Sequence, residues 1–216
     1  YLDLLNELNE DILLFKVPKL EHDTKIFSNY IREILGISLS TQKSWYKEVN
    51  HYNFLNKWKE VLNEKLGVLI FETEGVLLEE MRALCIFHEK IPIILLNGKD
   101  SVNGRIFSLF HELTHLLLGE SAICGDDENT KEEIFCNAVA GEFLVPEHDL
   151  NISINGVTDL LSYNSLKKLY NSYGVSEHVI LRRLLDANKI SRRDYISYIN
   201  SYEESFSKSS GSGGNY

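Results

Sequence analysis

His111-Glu112-Leu113-Thr114-His115 sets two imidazoles four residues apart with a carboxylate between them. On a helix, positions i and i+4 share one face, about one turn apart. Both rings can then reach a single Zn²⁺ at roughly 2.0–2.1 Å. Glu112 is rotated off the line of the two histidines and stands beside the water such an ion activates. That is the place of a general base for hydrolysis. The plain alternative is a core helix with two satisfied histidines. A glutamate at this spacing on an otherwise apolar helix weighs against it.

The chemistry requires a helix here, and the flanking sequence supplies one. Residues 101–119, SVNGRIFSLFHELTHLLLG, carry Ile106, Phe107, Phe110, Leu113, Leu117 and Leu118 as broad apolar faces, and Gly119 is a natural stop. Two histidines leave a catalytic zinc one protein ligand short, and that ligand is commonly a carboxylate. The next helical stretch, EEIFCNAVAGEFLVP, ends before Pro146 and offers Glu132, Glu133 and Glu142. Glu133 lies four residues before Asn137, so the two share a face. A carboxylate could bind the ion there while Asn137 accepts the outer N–H of a ligand histidine. Glu133 is therefore the first choice and Glu142 the second, and Glu132 reads as a solvated first-turn acid. His148, His178 and Tyr163 are candidates by type for stabilising an oxyanion; each also fits an ordinary surface or core position.

The elements around this pair predict a mostly helical α+β fold with a small three-stranded sheet. Residues 1–66 read as helical, in the segments LDLLNELNEDILLF, KIFSNYIREILG and a longer amphipathic stretch around 42–65. Trp45 and Trp58 read there as packing anchors. After Gly67 the period changes: VLIFE (68–72), LCIFH (84–88) and IPIILLN (91–97) have strand character, and the short gap between the last two predicts a hairpin-like connection. The stretch CGDDENTKEE after Gly119 reads as an acidic loop leading into a helix N-terminus; its spacing does not fit an EF-hand loop. The divisions expected are an N-terminal helical region (1–66), a metal-binding core (67–150), a helical C-terminal subdomain (151–207) and a flexible tail (208–216).

Composition limits the partners. The 216 residues carry a formal net charge of −10, which argues against a chain devoted to binding phosphate backbones. Cys85, Cys124 and Cys136 are an odd set without paired metal spacing and suit a reducing compartment. No apolar run approaches the roughly 20 residues of a membrane span and no signal peptide opens the chain, so a cytoplasmic location is expected. Both ends look like cuts in a longer protein.

HELTH followed by E-I-F-C-N-A-V-A-G-E-F-L-V-P (133–146) resembles the ImmA/IrrE family of zinc metallopeptidases. Phe107 and His111 match that family's first pattern. Glu133, Cys136, Asn137, Ala140, Leu144 and Pro146 match its second, and Val139 departs from it where an aromatic is usual. GVLIFE, IPIILLN and YGVSEHVILRRL resemble further family elements, so the likeness runs from about residue 67 to 190. The tail GSGGNY resembles the start of a Gly-rich segment that some members carry. The long helical preamble resembles members with an N-terminal helix-turn-helix domain. The resemblance implies His111, His115 and Glu133 as ligands and Glu112 as the base. It further implies site-specific cleavage of a partner helix-turn-helix repressor, which switches on phage, mobile-element or stress genes. Zn²⁺ is the expected ion, one per chain, with Mn²⁺ or Fe²⁺ as alternatives by ligand type.

A rival reading rests on LKKLYNSYGVSEHVILRRLLDANKI (166–190), which is helix, glycine turn, helix, and resembles a helix-turn-helix. Residues 151–200 hold seven Lys and Arg against four Asp and Glu, whereas residues 1–150 hold 14 against 26. A DNA-binding or DNA-sensing face would use Arg182, Arg183 and Lys189, with Arg192 and Arg193 beyond. Against it, Val179, Ile180, Leu181, Leu184 and Leu185 compete for the core. A third reading is an adaptor whose metal site no longer cleaves, although a purely structural site would not need Glu112.

Overall fold

The computed structural model describes residues 13–124 and 130–210, apart from the side chains of 124 and 203–210. Among them nine helices surround one small mixed sheet, an α+β architecture. Three helices come first: α1 (Thr24–Leu35), α2 (Leu39–Glu48) and α3 (His51–Leu66). The strands β1 (Leu69–Thr73), β2 (Ala83–Ile86) and β3 (Ile93–Asn97) follow. Then come α4 (Val102–Leu118), β4 (Ala122–Cys124) and α5 (Lys131–Leu144). The chain closes with α6 (Glu147–Ser153), α7 (Tyr163–Tyr173), α8 (Glu177–Asp186) and α9 (Arg192–Ser210).

The sheet order is β1-β3-β2-β4. β2 and β3 are antiparallel, as their short connection predicts, whereas β1 runs parallel to β3. The sheet has four strands rather than the expected three, because Ala122–Cys124 pairs antiparallel with β2 in the stretch expected to be loop. Three residues are too few to display a period of two, so only the pairing partner reveals the strand. The acidic residues Asp126, Asp127 and Glu128 lie outside the described residues.

Two further elements differ from their sequence expectations. The stretch 42–65 is broken at Val49 and Asn50, where the Asn50 side chain accepts the N–H of Asn53 at 2.8 Å and starts a new helix. The segment LDLLNELNEDILLF lies mostly outside the described residues, and Leu13–Phe15 are not helical. The tail 211–216 is likewise outside them. No helix among the described residues is long and apolar enough to cross a membrane.

Packing on both sides of α4 fixes its place. On one side it meets the inner face of the sheet, where Ala83, Cys85, Ile94 and Leu96 are buried. On the other it meets α3 and α5. Phe110 is the hinge of that contact: its ring lies 4.2 Å from Phe143 of α5 and 4.9 Å, edge-on, from Trp58 of α3. Trp45 closes on Trp58 at 5.3 Å, so both tryptophans are packing anchors. One continuous buried core runs from Phe15 to Leu184, across the divisions expected from sequence. Gly174 ends α7 at φ +71°, and a Cβ there would sit 2.6 Å from the Tyr46 ring, so only glycine lets α2 approach.

Trp58→Ala is expected to destabilise the fold by about 3–5 kcal/mol through the cavity left between α3, α4 and α5. Ile152→Ala, at a side chain 62% exposed, should stay within about 0.5 kcal/mol. Urea unfolding of the two variants checks the contrast.

Candidate metal centre

α4 is tightly bounded. Ser101 caps its start by accepting the Gly104 N–H at 3.0 Å. At its end Gly119 takes φ +79°, while the Glu120 N–H returns to the His115 carbonyl at 3.0 Å. Between these ends His111, Glu112 and His115 are all buried. α5 begins at the cap residue Thr130, whose hydroxyl accepts the Glu133 N–H at 3.2 Å. That bond sets Glu133 in the first turn, where the helix lies against α4.

Three side chains converge. His111 Nε2 is 3.0 Å from Glu133 Oε2, His115 Nε2 is 3.1 Å from Glu133 Oε1, and the two Nε2 atoms are 3.2 Å apart. Ligand atoms about 2.0–2.1 Å from a tetrahedral ion are separated from one another by roughly 3.3 Å. The observed triangle is close to that size. With the ring protons on the outer nitrogens, each corner would present a lone pair, an arrangement that is repulsive until a cation lies inside it. Two imidazoles and a carboxylate grouped in this way are a donor set that could hold a divalent metal ion.

The outer ring nitrogens are also engaged. His111 Nδ1 lies 2.9 Å from Asn137 Oδ1, and His115 Nδ1 lies 3.5 Å from Glu120 Oε2. With the N–H on Nδ1, each ring presents its Nε2 lone pair inward. Glu120 was missed by sequence reasoning. Its signal is an acidic residue directly after the Gly119 stop, where the chain doubles back over the last helical turn.

Glu112 is fully buried, and its carboxylate lies near enough to the Cys85 thiol to act on it electrostatically. Burial, reinforced by that carboxylate, pushes the Cys85 thiol well above its ordinary range. Burial does the same to Cys136, helped by Glu133, Glu120, Glu112 and Glu132. Both cysteines are therefore neutral thiols packed beside the site rather than thiolate ligands. The side chain of Cys124 is outside the described set.

Other residues singled out in the sequence lie elsewhere. Glu142, second choice as a ligand, is buried away from the triangle, paired with Arg183 and accepting the Glu147 N–H at 3.2 Å. Glu132 is exposed. His148 and His178 are exposed, with the His178 ring against Tyr202 at 5.1 Å, and Tyr163 is 60% exposed beside Lys167. The expected basic face is incomplete: Arg183 is only 5% exposed and donates from Nε to the Val145 carbonyl at 3.0 Å. Val179, Ile180, Leu181 and Leu184 bury the rest of that side of α8, which a recognition helix would need free. Arg182 is paired with Asp186 at 2.9 Å, and Lys189, Arg192 and Arg193 are exposed.

Residues 63–185, more than half of the chain, match the peptidase M78 family, described as an IrrE N-terminal-like domain. No curated protein sequence matches. Among solved structures, a Mycobacterium tuberculosis transcriptional regulator aligns at 13% identity with a TM-score of 0.48, covering 84% of this chain and 49% of that one. The chain thus spans about half the length of that regulator.

The triangle predicts one divalent ion per chain after reconstitution and dialysis, read by elemental analysis. Glu133→Ala leaves two histidines and should bind at least about ten-fold more weakly; equal loading of variant and parent would remove Glu133 from the ligand set.

Proposed function

This chain belongs to the peptidase M78 family with its IrrE N-terminal-like domain, and from that premise we propose that it is a metal-dependent endopeptidase. The observation that carries the reading is the triangle of His111, His115 and Glu133 with Glu112 buried beside it. In this reading the two histidines and Glu133 hold the ion, and Asn137 fixes the tautomer of His111. A divalent ion bound there supplies Lewis acidity, which makes water nucleophilic near neutral pH and polarises a peptide carbonyl. Glu112 takes the proton from the attacking water and returns it to the leaving amine. Its burial keeps that proton in a low-dielectric site, where charge interactions are stronger than in water. An extended substrate is compatible with the fold, because β4, which follows α4 in the chain, is an edge of the sheet and is paired on one side only among the described residues.

The proposed substrate is a helix-turn-helix repressor, cleaved at a specific bond to release phage, mobile-element or stress genes in the cytoplasm. Support for this comes from the family resemblance. Cys85 and Cys136, free and buried, fit a reducing compartment. A DNA-reading role is less supported, since Arg183 is committed to Glu142 and α8 to the core.

The test incubates the protein with the repressor encoded beside its gene and Zn²⁺ or Mn²⁺, and reads intact masses. A discrete cut is expected, slowed about 10²–10⁴-fold in Glu112→Gln, which keeps the ligands but loses the base. Metal binding without any cut would favour a non-cleaving adaptor.

A further inference from the structure

The two ligand histidines are supported unequally. Each turns Nε2 inward and Nδ1 outward, but the outer partner of His111 is the amide oxygen of Asn137, whereas that of His115 is the carboxylate of Glu120. We propose that Glu120 is a positioning residue of the metal centre, holding His115 in its ligand tautomer. The proposal rests on the metal reading above.

Its geometry comes from the helix stop. Gly119 turns the chain in the left-handed region, and the Glu120 N–H then binds the His115 carbonyl at 3.0 Å. Backbone and side chain of Glu120 therefore both address His115. The Glu120 carbonyl accepts the Cys85 thiol at 3.8 Å, which ties the same residue to β2. The side-chain distance of 3.5 Å is long for a hydrogen bond. The Glu120 side chain is 45% exposed whereas His115 is held in the core, so it is the carboxylate rather than the ring that would move to close the gap. Contacts of this kind shorten when the bound state adds charge. A divalent ion on Nε2 makes the Nδ1 proton more acidic, and a carboxylate answers that change more strongly than an amide.

Charge balance points the same way. Glu112, Glu120 and Glu133 all act on the Cys136 thiol and so crowd one small region. Ionised carboxylates this close together repel one another, and a dication among them would offset much of that repulsion. Glu120 stands farthest toward solvent of the three, so its contribution to binding is separable from the packing of the core.

The experiment measures Zn²⁺ affinity of the full chain by competition with a chromophoric chelator, alongside thermal unfolding of the metal-free protein. Glu120→Ala should bind Zn²⁺ about 10–100-fold more weakly, with metal-free unfolding unchanged. Glu120→Gln, which keeps an oxygen acceptor, should recover much of the loss. Parent-like affinity in Glu120→Ala overturns the proposal and leaves the metal centre standing. A weakened affinity that comes with a matching loss of metal-free stability and no recovery in Glu120→Gln also overturns it, in favour of packing. If the parent chain itself binds no Zn²⁺, the metal reading fails and this inference fails with it.

Discussion

Two imidazole nitrogens and a carboxylate held together about 3 Å apart are the constraint on which the rest of the structure depends. Left to themselves, two imidazoles and a carboxylate would move apart into water. Here they are prevented by burial and by the two helices that carry them. α4 is clamped between the sheet on one side and α3 and α5 on the other, so its histidines have no room to swing out. The first turn of α5 is fixed by the Thr130 cap, which delivers Glu133 to the triangle. Preorganisation of this kind lets an ion bind without ordering the site first.

Holding α5 in place at one end requires satisfying it at the other. Its last carbonyls are buried, and three side chains from distant parts of the chain meet them. Arg32 donates to Phe143, Gln42 to Leu144 at 2.9 Å, and Arg183 to Val145 at 3.0 Å. Without these partners each buried carbonyl would cost about 1–3 kcal/mol. Burial lowers the Arg32 guanidinium to about 10, which still leaves it charged at neutral pH. Cations are also favoured at a helix C-terminus. This is why a basic cluster near the end of the sequence does not become a DNA-binding face: Arg183 is used inside, on Glu142 and on α5.

The sheet contributes less by its size than by its placement. Its inner face supports α4, and Cys85 on β2 meets both Glu112 and the carbonyl of Glu120. Residues that look inert in the sequence thus line the centre as neutral thiols. They exclude water and strengthen the fields of the neighbouring carboxylates without adding charge.

What the sequence determined was local. The i, i+4 histidines, the apolar faces of 101–119 and the glycine stop all lie within one helix, so periodicity alone displays them. Glu133 and Asn137 share a face for the same reason, and both meet His111 in the structure. Hairpin pairing of β2 and β3 was legible because only a few residues separate them. Tertiary structure decided the remainder. β4 exists because β2 offers an edge, and Ala122–Cys124 is too short to show a period. Arg183 turned inward because Glu142 and the end of α5 needed a cation, a demand that neighbouring sequence does not express. Glu120 meets His115 because the chain doubles back at Gly119. Local pattern specifies which face a side chain occupies; only packing between distant elements specifies what waits on that face.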